Sequence, residues 1–342
     1  MALDWAAGYE AQWRIARVDR STWADAGDVR GVLAASVERS CTGLLESGML
    51  RVEGDGLPDG YYRVHLHASQ GPERAHVAFA TLLCEAEARE ADRGTSETDV
   101  AGSSVLAPAQ GQRLLAGEYA PKGCDGAAWA ASLLKRAVHA PIRLLGGFAL
   151  GSHVVFEAGT TLLDAAWTVL DAGGFCMQID GTGTVHVGPL PVAPSLVLDR
   201  NGARCLTPGV TRSSDRLDVP NRYTAVLGAD VAQAVNDDPA SPTSAPARGR
   251  FVDVVDPSPV LVGGETLAAY ASRKLEEASV VSVELTYRRE FQPGVLPFSV
   301  VRGSLPALGI EGDMRVSAQS IECAHGAVVT EKAVREERTW RR

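Results

Sequence analysis

The chain has 342 residues, of which 45% are hydrophobic and 22% charged, and its formal net charge is -9. This length predicts two or three domains with sizeable cores. The acidic balance argues against a broad basic face for binding nucleic acid. The chain has no apolar run near the roughly 18 residues of a membrane span and no signal peptide at its start, so we expect neither stable membrane insertion nor export.

The first part of the chain, residues 1–117, predicts a β domain. Alternating hydrophobic and polar residues, together with one further apolar run, predict strands at 13–18, 49–53, 61–67 and 75–83. Strands in this order favour a meander or a small barrel, because closure hides the strand edges. Residues 84–104 are acidic and small, and they predict a solvated loop.

The middle part, residues 118–192, predicts a mixed α/β domain. Asp125 can cap its first helix, and Pro141 is expected to end that helix. The helix would present a stripe of four apolar residues, Ala128, Ala131, Leu134 and Val138.

Residues 160–188 carry the clearest local signal of the chain. Thr160 or Thr161 can cap a second helix, and Asp164 in its first turn complements the positive end of the helix dipole. The glycine pair at 173–174 predicts a left-handed end. We therefore expect an αββ unit with an apolar helix face that needs a neighbour to cover it.

The second half of this unit predicts a β-hairpin. Residues 175–179 and 185–187 form its strands, and the sequence Asp-Gly-Thr-Gly at 180–183 forms its turn. A phosphate-cradling glycine loop would instead connect a strand to the start of a helix. The turn is therefore predicted to be structural.

The last part, residues 193–342, predicts a connecting segment followed by a second β domain. Proline and serine breakers at 234–250 predict a long exposed loop that cannot lie in a core. A helix is expected at 265–278, with strands at 280–287, 298–302, 314–321 and 326–335.

Candidate catalytic and metal-binding residues are few. His65 and His67 share one strand face and could hold two corners of a metal site, but no third ligand is identifiable, and a water-exposed polar face is the simpler interpretation. The acidic pairs 237–238 and 276–277 do not define a cleft, and no Gly-x-Ser-x-Gly elbow is present. We expect no enzyme activity, no catalytic or metal-binding residues and no cofactor.

The cysteines and tryptophans also favour structural roles. The six cysteines are scattered without a Cys-x-x-Cys pair, at positions 41, 84, 124, 176, 205 and 323, which favours reduced core thiols over zinc or disulfides. Six dispersed tryptophans could form a sugar platform, but core packing or interface anchoring explains them more simply. They are Trp5, Trp13, Trp23, Trp129, Trp167 and Trp340.

With this order of elements, the chain resembles the baseplate-hub or tail-tip hub proteins of tailed bacteriophages. The resemblance spans nearly the full length, and it is carried by residues 17–23, 45–50, 236–250 and 312–321. It implies an α+β, β-dominated fold in which two small tube-like β-barrel domains, 1–117 and 193–342, flank a peripheral α/β domain at 118–192.

The resemblance also implies a function. Three chains would form a homotrimer whose six barrels match a sixfold tail tube, joining the tube to the tail tip. The ring would line a channel through which DNA passes without specific binding. Its partners would be a distal tail or tail-tube protein, the tape-measure protein, and tail-tip or spike proteins. The protein would be made in the host cytoplasm and would end in the virion. A carbohydrate- or receptor-binding tail module is the alternative.

Overall fold

The computed structural model describes residues 3–5, 8–92, 95–199, 209–257, 259, 265–323 and 326–340. The chain is β-dominated, as predicted. It divides into two compact units, the first formed by Met1–Val210 with Thr286–Ala333 and the second by Thr211–Leu285 with Val334–Arg342. No helix among these residues is long and apolar enough to span a bilayer.

The first third of the chain consists of strands. They are β1 (Glu10–Val18), β2 (Asp25–Asp28), β3 (Val32–Ser40), β4 (Glu46–Glu53), β5 (Gly60–Gln70), β6 (Glu73–Asp92) and β7 (Thr95–Ser104). All four predicted strands are confirmed, but the predicted loop at 84–104 is wrong. This segment contains the C-terminal part of β6 and all of β7, and Glu87 on β6 pairs with Val100 on β7. The acidic side chains at 85 and 87 are exposed on this ladder, so their polarity reflects solvent contact and not the lack of a strand.

The middle of the chain alternates short helices and short strands. They are α1 (Ala107–Gly111), β8 (Tyr119–Ala120), α2 (Gly126–Leu134), β9 (Ile142–Leu144), β10 (Val154–Val155), α3 (Leu162–Ala172), β11 (Phe175–Ile179), β12 (Val185–Pro189) and β13 (Pro194–Asp199). Asp125 caps α2, as predicted, because its Oδ1 accepts hydrogen bonds from the amides of residues 127 and 128. The helix ends at Leu134 and not at Pro141, since the amide of Ala137 bonds the Leu134 carbonyl in a tighter turn.

The remaining elements include the predicted helix and strands of the last third. They are β14 (Thr211–Ser214), β15 (Arg222–Leu227), β16 (Asp230–Val235), α4 (Ala245–Arg248), β17 (Asp253–Asp256), α5 (Leu267–Ala278), β18 (Val280–Glu290), β19 (Val300–Leu305), a 3-10 turn (Pro306–Leu308), β20 (Ile310–Glu322) and β21 (Val328–Arg338). Thr266 caps α5 by accepting a hydrogen bond of 3.2 Å from the amide of Ala269.

Strands from both ends of the chain belong to one 13-stranded sheet. Its order is β14-β18-β21-β20-β3-β4-β7-β6-β5-β1-β2, and β19 pairs with both β20 and β13. The early and late strands meet where β3 and β20 run antiparallel, with Arg39 opposite Gln319. The pairings among the described residues leave β14 and β2 at the two ends and close no barrel. The two-barrel arrangement therefore stays a prediction.

The αββ unit predicted at 160–188 is confirmed as α3, β11 and β12. Thr161 is the cap, since its hydroxyl accepts a hydrogen bond of 2.9 Å from the amide of Asp164. Gly174 adopts the left-handed conformation that ends the helix, at φ +66°. Leu163 and Met177 of this unit are fully buried in one core with Tyr61 of β5. The unit is therefore packed into the same core as the first β strands.

The breaker-rich segment 234–250 differs from its prediction, because part of it is buried. Asn236, Thr243 and Ser244 have no exposed surface. The Asn236 side chain donates to the Ser241 hydroxyl at 2.9 Å, and Ser244 caps the short helix α4. Hydrogen bonds of this kind give buried backbone and hydroxyl groups a partner even outside helices and sheets. A segment with few apolar residues can therefore still be buried.

Candidate assembly site

The turn of the β11–β12 hairpin is fixed onto the strands of the first β segment. The Thr182 carbonyl accepts hydrogen bonds from Trp23 Nε1 at 2.8 Å and from Arg63 Nη2 at 2.9 Å. The Gly181 carbonyl accepts one from the Thr81 hydroxyl at 3.0 Å. A Cβ atom on Gly181 would lie 1.7 Å from the carbonyl oxygen of residue 78, so only glycine allows this approach. The turn is a docking element within the first unit.

The same turn is closed internally by Asp180. Its Oδ1 accepts hydrogen bonds from the amides of Thr182 and Thr184 at 2.9 and 3.1 Å, and its Oδ2 lies 2.8 Å from His186 Nε2. Burial opposes ionisation of this carboxyl, but the hydrogen bonds from His186, Thr182 and Thr184 lower its pKa overall. Asp180 is therefore a negatively charged structural residue.

A row of buried polar side chains crosses the large sheet at the junction of its early and late strands. We call it the buried polar row: Glu46 on β4, Arg39 on β3, Gln319 on β20, Glu331 on β21, and Tyr287 and Arg289 on β18. Arg39 Nε lies 2.9 Å from Glu46 Oε1. Gln319 Nε2 donates to Glu331 Oε2 at 2.8 Å, and Arg289 Nε donates to the same oxygen at 3.1 Å.

Burial raises the pKa of two groups in this row, Glu46 and Tyr287. Burial raises the pKa of Glu46 to about 7, although the Arg39 guanidinium works against the increase. Burial and the Glu331 charge raise the pKa of Tyr287 far above its usual value, so its hydroxyl remains a donor to Glu331. Charges removed from water this completely are tolerated only with their partners in place. The row therefore favours one register between strands from opposite ends of the chain.

The predicted histidine pair lies near the other end of the same sheet, on β5. His65 is only 4% exposed, so the expectation of a water-exposed face was wrong for this residue. Its Nδ1 lies 3.0 Å from Nε2 of His76 on β6, and its Nε2 lies 2.9 Å from Asp25 Oδ2. The His67 and His76 rings stack with their centroids 4.4 Å apart. We call His65, His67 and His76 the histidine cluster.

Two rings of the histidine cluster, His65 and His67, are held in the uncharged form by their surroundings. Burial lowers the pKa of His65 to about 4, against the opposing effect of the Asp25 carboxylate. Burial and the neighbouring His76 also lower the pKa of His67. His76 was missed by the sequence interpretation, although the alternation at 75–83 could have placed it opposite β5. Among the described residues, no group of three or more His, Cys, Asp or Glu side chains is arranged to hold a metal ion.

No family model and no curated protein matches the chain. Solved structures do match along its full length. A tail protein from Neisseria meningitidis MC58 superposes with a TM-score of 0.64 at 15% identity, covering 96% of this chain and 97% of that one. The 43 kDa tail protein of prophage MuSo2 from Shewanella oneidensis gives 0.63 at 12% identity, covering 95% and 98%.

A third match is the prophage tail protein gp18 from Listeria monocytogenes EGD-e, with a TM-score of 0.54 at 10% identity over 96% of this chain and 95% of that one. The chain has the fold of phage tail proteins. Because identity is this low, the likeness is one of backbone architecture. The comparison therefore concerns the backbone fold of the chain. What the surfaces of the chain contact has to be inferred from the residues of this chain.

Three members of the acidic pairs contact groups within the fold. Asp238 Oδ1 accepts a hydrogen bond from the Ala240 amide at 2.8 Å. Glu276 pairs with Arg338, and Glu277 pairs with Arg273 at 2.9 Å. Among the described residues, cysteines 41, 84, 124, 176 and 323 are free thiols, of which 84, 176 and 323 are buried, and position 205 lies outside the described residues. These groups do not converge on a cleft.

All six tryptophans of this chain are half-buried. Trp13 packs edge-to-face on Phe79 with ring centroids 5.3 Å apart, and Trp129 stacks on Phe156 at 5.6 Å. Trp167 Nε1 donates a hydrogen bond to the Gly43 carbonyl at 3.2 Å. The rings are used within the fold, and none stands free as a sugar platform.

The second unit of the phage-tail fold carries an exposed aliphatic face. Its three-stranded sheet has the order β16-β15-β17, and α5 packs on the face that carries Tyr223. The opposite face carries Val226, Val231 and Val255, since Val226 lies directly across from Val231 and Val255 lies across from Thr224. Val231 and Val255 are 60% and 61% exposed. We call these three valines the valine face.

Proposed function

We propose that the chain is a structural protein of a phage tail or baseplate. The observation that supports this proposal is the full-length fold likeness to tail proteins, with more than nine-tenths of both chains covered. The internal use of the tryptophans, acidic pairs and hairpin turn is consistent with a structural role and not with an enzyme. The location expected from this role is the virion.

Within that role we propose a trimeric hub that joins the tail tube to the tail tip. The barrels expected at 1–117 and 193–342 and the domain expected at 118–192 are part of this finer proposal, together with tube, tape-measure and spike proteins as neighbours. The net charge of -9 supports a channel lining that lets DNA pass, because an acidic wall repels phosphates.

The valine face is the surface that we assign to contacts between subunits. Exposed aliphatic side chains grouped on one sheet face favour burial against another protein. The experiment compares Val255→Lys with a control change outside this sheet, Ser282→Lys on β18, which also adds one positive charge at an exposed position. Both variants should keep the thermal unfolding midpoint of the wild type. Only Val255→Lys should reduce assembly, and equal assembly of both variants would contradict this assignment.

Native mass spectrometry of the full chain tests the trimer, which should have three times the monomer mass. Immunogold electron microscopy on purified virions tests the location, with an antibody against a capsid protein as the control. Label at the tail tip would support the hub. A monomer over the whole concentration range, together with the absence of label from virions, would overturn the proposal.

The carbohydrate- or receptor-binding alternative makes a different prediction. A glycan array would have to show binding that is lost on a single Trp→Ala change without loss of folding. Trp13, Trp129 and Trp167 contact other residues of the fold, so replacing any of them by alanine should also lower stability. No feature among the described residues favours this alternative over the structural role.

A further inference from the structure

Two imidazoles of the histidine cluster are placed for a shared ligand. His67 on β5 and His76 on β6 are directly opposite each other in the antiparallel ladder, so their side chains share one face of the sheet. Directly opposite residues have Cβ atoms about 4.5–5.5 Å apart. Imidazole nitrogens bind transition metals at about 2.0–2.1 Å, so one ion can bridge the two rings once His67 turns about its Cβ–Cγ bond out of its stack on His76. His76 is exposed, which gives an ion access.

The third histidine orients one of these two rings. His76 Nε2 lies 3.0 Å from His65 Nδ1, while His65 Nε2 faces Asp25 Oδ2 at 2.9 Å. Either nitrogen of the His65–His76 hydrogen bond can be the donor. The site requires the tautomer in which His76 Nε2 carries the hydrogen and His65 Nδ1 accepts it, because Nδ1 of His76 then keeps its lone pair. Imidazoles that bind metals usually have such an acceptor on their other nitrogen.

The charges around the pair also favour a cation. A ligand imidazole must be uncharged to bind a metal ion. The Asp28 carboxylate on β2 acts electrostatically on His67 and attracts positive charge to this position. Arg14 repels a cation, but its guanidinium lies 2.8 Å from Asp25 and 3.5 Å from Asp28 and is largely neutralised there.

We propose that His67 and His76 together bind one divalent first-row transition-metal ion, with His65 holding the His76 ring in place. Water fills the remaining coordination positions, since the described residues contain no group of three protein ligands. Imidazole nitrogens suit Cu²⁺, Ni²⁺ and Zn²⁺, and the general order of affinities favours Cu²⁺. An ion in this position would tie β5 to β6. Both ligands belong to one chain, so this proposal stands or falls independently of the trimer.

Titration of the untagged full chain with NiCl₂ in a buffer that does not chelate metals tests the proposal by isothermal titration calorimetry. One ion should bind per chain. His67→Gln and His76→Gln should each weaken binding at least tenfold, and the positioning change His65→Asn should weaken it roughly tenfold or more. The control His153→Gln changes an exposed histidine of another segment and should leave the affinity as it is.

A spectrum with Cu²⁺ gives a second readout, because electron paramagnetic resonance should show coupling to two imidazole nitrogens that is lost in both ligand variants. Circular dichroism without metal checks that the variants are folded, and His76 is exposed enough for its substitution to be tolerated. The absence of binding at a ratio of one ion per chain would overturn the proposal. So would equal affinity of the wild type, His67→Gln and His76→Gln.

Discussion

The buried polar row and the histidine cluster belong to the same sheet, but they handle polarity in opposite ways. In the row, Glu331 is fully buried and receives hydrogen bonds from Arg289, Gln319 and Tyr287, so charge is balanced inside the protein. In the cluster, one ring is buried and another is exposed, and burial favours the neutral form. We therefore expect the row to fix the register between the early and late strands of the sheet. We expect the cluster to determine how the protein responds to pH and to metal ions.

The row and the cluster differ because a buried arginine keeps its charge, whereas a buried histidine can lose it. Arginine keeps its charge at all ordinary pH values, so the charge of Arg289 must be matched permanently by Glu331. A histidine can lose its charge, so His65 can be buried without a full set of counter-charges. Removing one partner should consequently damage the row far more than the cluster.

The largest loss of stability is expected when one partner of an ion pair is removed from the buried polar row. Arg289→Met would leave the Glu331 carboxylate buried without its cation, and the loss of one partner from a buried pair typically costs about 3–5 kcal/mol. Urea unfolding of the purified chain should show a reduction of this size in the free energy of unfolding of the first unit.

The double variant Arg289→Met with Glu331→Leu is the control for this experiment. It removes both charges and should recover much of the lost stability, because hydrophobic replacement of a complete buried pair is often neutral. A double variant that is no more stable than Arg289→Met would show that the row contributes through packing and not through its charges.

A smaller effect is expected from acid on the histidine cluster. The folded-state pKa of His65, about 4, lies below the ordinary histidine value of 6.5, so the unfolded chain takes up the proton first. The stability due to this group is present above pH 6.5 and is lost as the pH falls towards 4. The loss should be on the order of 2 kcal/mol, measured as the change in the free energy of unfolding between pH 7 and pH 4.5.

His65→Asn supplies the comparison, since asparagine does not titrate and is similar in size. Its stability should depend less on pH over this range than that of the wild type. Asp25, Arg14, Arg63 and His76 face the His65 ring, and all four remain in this variant. An unchanged pH dependence would assign the acid response to other groups.

The local features of this fold could be predicted because their partners are close in sequence. Asp125 and Thr161 each cap a helix within three residues of themselves, and Gly174 ends α3 through its own φ angle. Alternation also located β5 and β6, since the period of two follows from the strand itself.

The long-range features could not be predicted in this way. Glu46 and Glu331 look like surface charges in sequence, and their burial depends on β3 pairing with β20 from the other end of the chain. Similarly, the acidic residues at 85 and 87 suggested a loop because charge reports solvent contact and does not distinguish a loop from an exposed ladder. His65 appeared exposed because the covering residue, Asp25, lies on a strand that is short and polar.

A still smaller effect is expected where the hairpin turn meets the strands beside the cluster. Trp23→Phe removes the hydrogen bond from Trp23 Nε1 to the Thr182 carbonyl but keeps an aromatic ring against Tyr61. Arg63 continues to donate to the same carbonyl, so the oxygen is not left without a partner. The cost should be about 1 kcal/mol in the free energy of unfolding. A loss as large as that of Arg289→Met would mean that the turn, and not the row, dominates stability.

The smallest effect is expected for an ion pair on the surface, and it gives the reference for the whole comparison. Arg302 contacts Asp313 at 2.7 Å across β19 and β20, but both side chains are well exposed. Water and salt screen such a pair, and fixing two long side chains opposes the gain. Arg302→Gln should therefore leave the unfolding midpoint unchanged within error in 0.15 M salt. Because Arg302–Asp313 and Arg289–Glu331 have similar charge chemistry, a marked loss in this variant would contradict the conclusion that burial sets the importance of the row.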